Sequence, residues 1–163
     1  MLFLQQQFRY FDLFGESAHN WDLDCRQLDT GKFFSELLMF GNTTTLFTRA
    51  KTGRHLLQKG SSPAGLVTFG LLANANISKR SRNLDIYGDQ LFIFPPDGEL
   101  HGITHSDFDV FALSFSEKIL DQTCHVLELP DFRKLIGCNE AFTCNPVHMS
   151  PLRKRFQEFQ LEL

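Results

Sequence analysis

The chain has 163 residues and a mass of 18.7 kDa, and its 16 Lys and Arg against 19 Asp and Glu give a net charge of −3. This size predicts a single domain. The mildly acidic charge excludes a free-standing basic DNA-binding module, because neutralising phosphates needs a basic surface. The apolar content of 42% excludes a disordered tail, and the 18 Phe against 2 Tyr and 1 Trp favour a packed interior or an apolar cavity.

The sequence contains no sign of export or membrane insertion. No apolar run approaches the roughly 18 residues that cross a bilayer. The first eleven residues, MLFLQQQFRYF, include three Gln and an Arg and no cleavage site of small residues. We therefore expect a cytoplasmic protein without membrane contact. Its cysteines, Cys25, Cys124, Cys138 and Cys144, are spaced too irregularly for a disulfide framework or a CxxC metal site.

Short apolar or β-branched runs separated by Gly-containing turns fill residues 25–115, a pattern typical of antiparallel strands. The link Gly41-Asn42 suits a two-residue type II′ hairpin, because Gly accepts the positive φ of that turn. The basic run Lys79-Arg80-Ser81-Arg82 is typical of a solvated loop. The predicted strands are Lys32–Phe40, Thr43–Ala50, His55–Gln58, Leu66–Leu72, Leu84–Tyr87, Leu91–Phe94 and Asp109–Phe115.

The alternation in the last of these strands predicts two different faces. Phe111, Leu113 and Phe115 share one face, which we expect to pack in the interior, and the smaller residues Val110 and Ala112 point to a neighbouring element. The whole segment predicts a mainly β domain, either a sandwich or a barrel.

After residue 115 the pattern changes to a helical period. Ser116 is expected to cap a helix that runs to about Leu129 and is stopped by Pro130. Ser150 followed by Pro151 predicts the start of a second helix. This tail of two helices continues to the last residue without a stop signal, so we expect further chain to follow.

Each of these two predicted helices carries an apolar stripe. One stripe follows an i, i+4, i+7 spacing and the other repeats every 3.5 residues, the spacing that keeps two helices facing each other. We expect these stripes to form a homodimer interface, with packing onto the domain's own body as the alternative. The stripes are Leu120, Cys124 and Leu127, and then Leu152, Phe156, Phe159 and Leu163.

Catalytic motifs are absent from the sequence: it has no GxSxG, P-loop, GxGxxG or HExxH pattern. The segment Gly88–His105 resembles the second motif of the cupin superfamily, G-x5-P-x-G-x2-H-x3-N, through Pro96, Gly98 and His101. Metal-binding cupins also need an H-x-H motif, whereas His55 is followed by Leu56. The resemblance therefore implies a jelly-roll fold, and we expect no metal, no cofactor and no catalytic residue.

A wider resemblance extends over roughly residues 20–130. The sequence is similar, in order and spacing, to the amino-terminal sensor domain of AraC-type transcription regulators. This resemblance implies a cupin-like barrel that binds a small effector, two dimerisation helices, and DNA binding by a carboxyl-terminal helix-turn-helix half that this chain lacks. The matching segments are Arg26–Leu28, Gly31–Phe33, Leu56–Gly60, Leu66–Gly70 and Gly88–Glu99.

The resemblance implies three parts: an amino-terminal arm at residues 1–24, a barrel at 25–115 and a helical dimerisation tail at 116–163. A Phe-rich barrel favours a partly apolar effector, oriented by a few polar contacts. Arg49 and His101 are the candidate polar anchors, and Trp21 either stacks on the ligand or covers the barrel mouth. The Phe candidates for the pocket are Phe33, Phe69, Phe92, Phe94 and Phe111, and for any single one of them plain core is the favoured interpretation.

The proposed regulation is a population shift, in which the effector favours one arrangement of residues 1–24 and the dimer responds. Two alternatives stay open: a metal-dependent cupin enzyme, and a stand-alone dimeric protein that binds a small molecule.

Overall fold

The structure, a computed structural model, describes residues 1–18, 20–74, 78–81, 84–137 and 140–161. Strands account for 46% and helices for 24%, so the mainly β prediction is confirmed. The elements in chain order are β1 (Leu2–Phe8), α1 (Phe11–Ser17), β2 (Asp22–Gln27), β3 (Ser35–Gly41), β4 (Thr45–Thr52), β5 (Leu56–Ser61), β6 (Leu66–Leu72), β7 (Ser78–Ser81), β8 (Leu84–Tyr87), β9 (Gln90–Phe94), β10 (Glu99–Thr104), β11 (Phe108–Ser116), α2 (Glu117–Val126), α3 (Phe132–Ile136), β12 (Ala141–Thr143) and α4 (Pro146–Leu161).

The strands form two antiparallel sheets that share an apolar interior. The first has the order β1-β3-β4-β11-β6-β9-β12 and the second the order β2-β5-β10-β7-β8. Leu72 and Phe92 of the first sheet pack with Ile86 and Leu100 of the second in one core cluster. In the described part of the chain the two sheets do not close on each other, so the expected closed jelly-roll barrel is not confirmed.

Strand β11 is the centre of the seven-stranded sheet and is apolar on both faces. Val110 and Ala112 face the second sheet, where Val110 joins the same cluster as Leu72. Phe111 lies on the opposite face, packed against Phe47 and Phe156. The expected assignment of the two faces is therefore reversed: the small residues line the narrow space between the sheets, and the large rings lie under the helices.

Three helices and a short strand follow β11, where two helices were predicted. Ser116 caps α2 as expected, its Oγ accepting a hydrogen bond from the backbone N–H of Ile119. The predicted helix start at Ser150 is wrong. Helix α4 begins at Pro146 behind Asn145, whose side chain accepts from the N–H of Val147, and Pro151 lies inside the helix.

The amino-terminal segment is part of both sheets. Strand β1 pairs with β3 along its whole length, from Leu2 opposite Gly41 to Phe8 opposite Ser35. Strand β2 pairs with β5, and α1 between them buries Phe14. The described part of residues 1–24 thus contributes a strand to each sheet. The basic run at 79–81 differs from expectation, since it lies in β7.

Candidate functional site

The space between the sheets holds buried polar atoms without partners. The indole Nε1 of Trp21 and the hydroxyl Oγ1 of Thr48 are both buried and make no hydrogen bond. A buried donor left unsatisfied costs about 1–3 kcal/mol. Among the described residues these two are the candidates in the interior for contact with a bound molecule.

Trp21 lies at the junction of the two interior clusters, because its ring packs against both. It meets the ring of Phe94 edge-on at 6.2 Å between centroids. Its backbone N–H donates to the carbonyl of Ala18 at 2.8 Å, which fixes the turn between α1 and β2. The side chain therefore connects the interior directly to the amino-terminal segment.

Thr48 sits on the inward face of β4, opposite Met39 on one side and Ala112 on the other. These two apolar neighbours offer the hydroxyl no hydrogen-bonding partner. Other inward hydroxyls are satisfied: Thr68 and Ser114 bond each other at 2.7 Å, and Thr104 accepts from the N–H of Leu56. Thr48 thus differs from the remaining buried hydroxyls of this interior.

Gln58 adds an amide to the same interior. It is buried on β5, two residues from the fully buried Leu56 and opposite Cys25 and Gly102 of the neighbouring strands. Apart from Lys79, whose backbone lies opposite the buried Ile86 and whose side chain is outside the described residues, no residue on the inward faces of the described strands is charged. This interior therefore suits a neutral group with hydrogen-bonding atoms.

Sequence reasoning missed Thr48 and Gln58. The sequence pattern could have found them, because Thr48 lies two residues after Leu46 and Gln58 two residues after Leu56. A spacing of two places each polar residue on the same strand face as a buried leucine.

Four of the eight residues predicted to line a pocket lie in this interior. Phe33 packs with Phe14 in one cluster, while Phe92 and Phe94 belong to the other. With Trp21 between the clusters, these rings surround the inward polar groups. Phe92 also covers the position of Gly70 on the neighbouring strand, where a Cβ would overlap its ring.

The other four lie elsewhere. Phe69 and Phe111 project from the opposite face of the seven-stranded sheet, toward the helices. Arg49 is on that face too, bonded to Asp109. His101 is exposed on β10, facing away from the interior. In each case the residue has the wrong parity on its strand to reach the space between the sheets.

The predicted dimer residues are also divided. Leu120 and Cys124 pack against the cluster of Val67, Ile93 and Phe132, and Phe156 packs against Phe47 and Phe111. Leu152 is half-buried, whereas Leu127 is 60% exposed. The side chain of Phe159 and all of Leu163 lie outside the described residues.

Leu127 belongs to an exposed apolar patch, which we call the α2–α3 patch. The patch lies at the end of α2, the following turn and α3. Its members are between 49% and 77% exposed. They are Val126, Leu127, Leu129 and Leu135.

Two histidines next to neighbouring strands of the second sheet contact each other. The rings of His55 and His105 meet edge-on with centroids 5.5 Å apart, while His101 is not part of the contact. Within the described ranges, no group of three or more His, Cys, Asp or Glu is placed to hold a metal ion. None of the described helices combines the length and apolar character that a membrane crossing requires.

Comparison with known proteins gives a structural match alone. No protein-family model matches the sequence, and no curated protein does. The crystal structure of the AraC-like transcriptional activator CuxR superimposes with a TM-score of 0.65 at 14% sequence identity. The match covers 98% of this chain and 61% of that one, so this chain spans about three fifths of the regulator's length. The chain therefore has a fold that it shares with an AraC-like transcription regulator.

Proposed function

We propose that this chain is the ligand-sensing and dimerisation part of an AraC-type transcription regulator. In this proposal a small, neutral, partly apolar effector binds between the two sheets and is not chemically changed. DNA binding belongs to a helix-turn-helix part beyond the residues of this chain. The observation that carries the proposal is the pair of buried, unpartnered groups on Trp21 and Thr48, in a fold shared with such a regulator.

The neutral character of the effector follows from the lining. A charged ligand in this interior would meet no described side chain of opposite charge, and an unpaired buried charge is strongly unfavourable. An acceptor such as a carbonyl or ether oxygen would satisfy the indole N–H of Trp21. A hydroxyl or amide would suit Thr48 and Gln58, and the surrounding Phe rings supply apolar contact.

The route of regulation starts at Trp21. Its side chain packs in the interior and its backbone closes the turn after α1, so an effector that contacts the indole favours one position of α1. Helix α1 in turn packs Phe14 against Phe8 of β1, with ring centroids 5.8 Å apart. Effector binding would thus bias the amino-terminal segment by its differential affinity for two arrangements.

Dimerisation is assigned to the α2–α3 patch rather than to the whole predicted stripe. Contiguous exposed apolar side chains mark interaction surfaces. Leu120 and Cys124, on the inner side of α2, already contact the protomer's own sheet. Leu127 and the other residues of the α2–α3 patch are exposed and so can contact a second copy.

Trp21 provides the assay, since it is the only tryptophan of the chain. A panel of neutral aromatic esters, amides and phenols is titrated while the tryptophan emission and the Tm are followed. Thr48→Val, which removes the hydroxyl but keeps the shape, should raise the Kd about tenfold for a bound compound by both readouts. Trp21→Phe removes the N–H and also the fluorophore, so the same loss of affinity is measured by the shift in Tm alone. His101→Ala, on the outer face, is the matched control and should leave the Kd unchanged.

The proposal fails if no neutral compound raises the Tm, or if Thr48→Val and Trp21→Phe bind as tightly as the original chain. Iron, zinc or manganese bound stoichiometrically to the purified protein would instead favour the cupin-enzyme alternative.

A further inference from the structure

The seven-stranded sheet ends in an open edge at β1, and this edge lacks the features that normally prevent pairing. Strand β1 has the sequence LFLQQQF, with no charged residue and no proline, and its register with β3 runs through seven residue pairs without a bulge. Natural edge strands are blocked by charge, proline, bulges or short length. Strand β1 has none of these protections.

The other sheet edges in the described part of the chain are protected. Strand β12 has three residues and β8 has four, which is too short for extensive pairing. Strand β2 is six residues long but carries outward Asp22, Asp24 and Arg26. The unprotected edge is therefore specific to β1.

The register defines which backbone groups are free at this edge. In the β3–β4 hairpin, Asn42 donates its N–H to the carbonyl of Thr45, and Gly53 donates to Phe34. These bonds direct the even-numbered residues of β3 toward β4 and the odd-numbered ones toward β1. Their partners on β1 are even-numbered, so Phe3, Gln5 and Gln7 point their N–H and C=O groups outward.

We propose that β1 pairs antiparallel with β1 of a second copy, about a two-fold axis at Gln5. In this register Gln5 faces Gln5 of the second copy, and Phe3 faces its Gln7. All three outward residues then lie in hydrogen-bonded pairs. The seven-stranded sheets of the two copies then form one continuous sheet of fourteen strands.

The side chains of β1 fit this self-pairing. The strand has no charge to repel its copy, and the amides of two facing Gln5 residues can hydrogen-bond across the junction. Phe3 is 55% exposed, and its ring would gain cover beside the second strand. Next to it, an apolar groove of about 610 Å³ runs from Met1 to Phe156, which extends the apolar surface at this edge.

This surface is separate from the α2–α3 patch. Helices α2 and α3 cover Val67 and Ile93, on strands β6 and β9, toward the other end of the seven-stranded sheet from β1. Two self-complementary surfaces on one chain link copies into assemblies larger than a dimer. Loss of either surface can therefore be measured without loss of the other.

Cysteine cross-linking tests the register. In the proposed pairing the two Gln5 Cα atoms lie about 5.5 Å apart, within the range for a disulfide, so Gln5→Cys should form a covalent dimer on mild oxidation. Gln6→Cys is the matched control, because its copies are diagonal at about 7–8 Å and cannot be bridged well. We expect at least tenfold more dimer from Gln5→Cys, above the background of the four native cysteines.

Proline substitution tests the backbone bonds. Gln5→Pro removes an N–H that the protomer does not use, so the Tm should stay near that of the original chain. Sedimentation should show self-association weakened at least tenfold. Gln6→Pro removes an N–H directed at Leu37 and should lower the Tm.

Equal cross-linking of the two cysteine variants overturns the proposal, and so does the absence of cross-linking in both. Either result would mean that β1 does not pair with β1 of a second copy in this register. Sedimentation of folded Gln5→Pro identical to that of the original chain overturns it as well. Neither result affects effector binding at Trp21 or dimerisation at Leu127, so failure of this pairing is distinguishable from failure of the proposed function.

Discussion

Arg49 on β4 forms a two-pronged ion pair with Asp109 on β11, with Nε to Oδ1 at 2.9 Å and Nη2 to Oδ2 at 2.7 Å. The guanidinium also lies over the ring of Phe111, 5.2 Å from its centroid. The hydrogen bond to Asp109 raises the pKa of Arg49 above its ordinary value. The pair fixes the Arg49 charge on the face opposite the interior, where it links two central strands.

Arg49→Met keeps the aliphatic stem but leaves Asp109 without its cation. Both side chains are largely buried, so we expect the free energy of unfolding to fall by about 2 kcal/mol. Effector binding between the sheets should be unaffected. Urea denaturation measures the change, and Lys59→Met, an exposed cation on β5 of the other sheet, should change stability by less than about 0.5 kcal/mol. If Arg49→Met bound the effector more weakly than the original chain, Arg49 would have to contribute to the binding site.

The strand pattern was predictable because local chemistry dominates it. Leu66–Leu72 and Leu84–Tyr87 have the bounds that the sequence predicted. Each is an apolar or alternating run ended by polar residues or by Gly88. The Ser116 cap was predictable for the same reason, since its hydrogen bond to Ile119 joins residues three apart.

The inward face of the central strands was not predictable from alternation. Helices cover the outer face of the seven-stranded sheet, so β11 is apolar on both sides and its pattern gives no preference. The space between the sheets accepts Ala112, and the helix-covered side accepts Phe111. Placing Phe111, Phe69 and Arg49 correctly, on the helix-covered face and not in the pocket, required knowledge of long-range packing.

The start of α4 shows two local signals in competition. Asn145-Pro146 and Ser150-Pro151 are both a capping residue followed by proline, one turn and a half apart. The helix begins at the first pair and tolerates Pro151, whose missing N–H costs one hydrogen bond. The longer helix buries Met149 almost completely and brings Arg153 to the carbonyl of Leu72 at 2.9 Å.

Leu127→Asp should disrupt the dimer that we propose forms through the α2–α3 patch. The side chain is 60% exposed, so the charge is solvated in the protomer and buried only at the interface. We expect an unchanged Tm at low concentration and at least tenfold weaker association by sedimentation. Tyr87→Asp, exposed on the second sheet, is the control. Unchanged association in Leu127→Asp would place the helical interface elsewhere.

Phe156→Asp should act on the protomer instead. Its ring lies 6.1 Å from that of Phe47 and 5.6 Å from that of Phe111, centroid to centroid. A carboxylate there removes aromatic packing and faces apolar rings, so unfolding should become easier by about 2 kcal/mol or more. Thermal melts of Phe156→Asp beside Leu127→Asp separate the two roles. A stable but monomeric Phe156→Asp would contradict this assignment.

Glu128→Gly should stabilise the chain. Glu128 follows α2 with a φ of +52°, its N–H donates to His125, and the N–H of Leu129 donates to Cys124. This is the bond pattern of a Schellman helix end, in which glycine avoids the steric cost of the left-handed conformation. We expect a gain of about 0.5–1 kcal/mol in unfolding free energy. Glu140→Gly, outside any helix end, is a comparison variant that should give no such gain.

Gly70→Ala should destabilise the interior by overpacking. A Cβ at Gly70 would overlap the ring of Phe92 on the neighbouring strand, opposite it in register. The ring cannot move freely because it also contacts Phe94 edge-on, with centroids 5.8 Å apart. We expect a loss of about 1–3 kcal/mol in unfolding free energy. Combining Gly70→Ala with Phe92→Leu should cost less than the sum of the two single changes, because the smaller side chain makes room for the methyl group. If the two losses in unfolding free energy were additive, the methyl group would clash with the backbone rather than with the ring of Phe92.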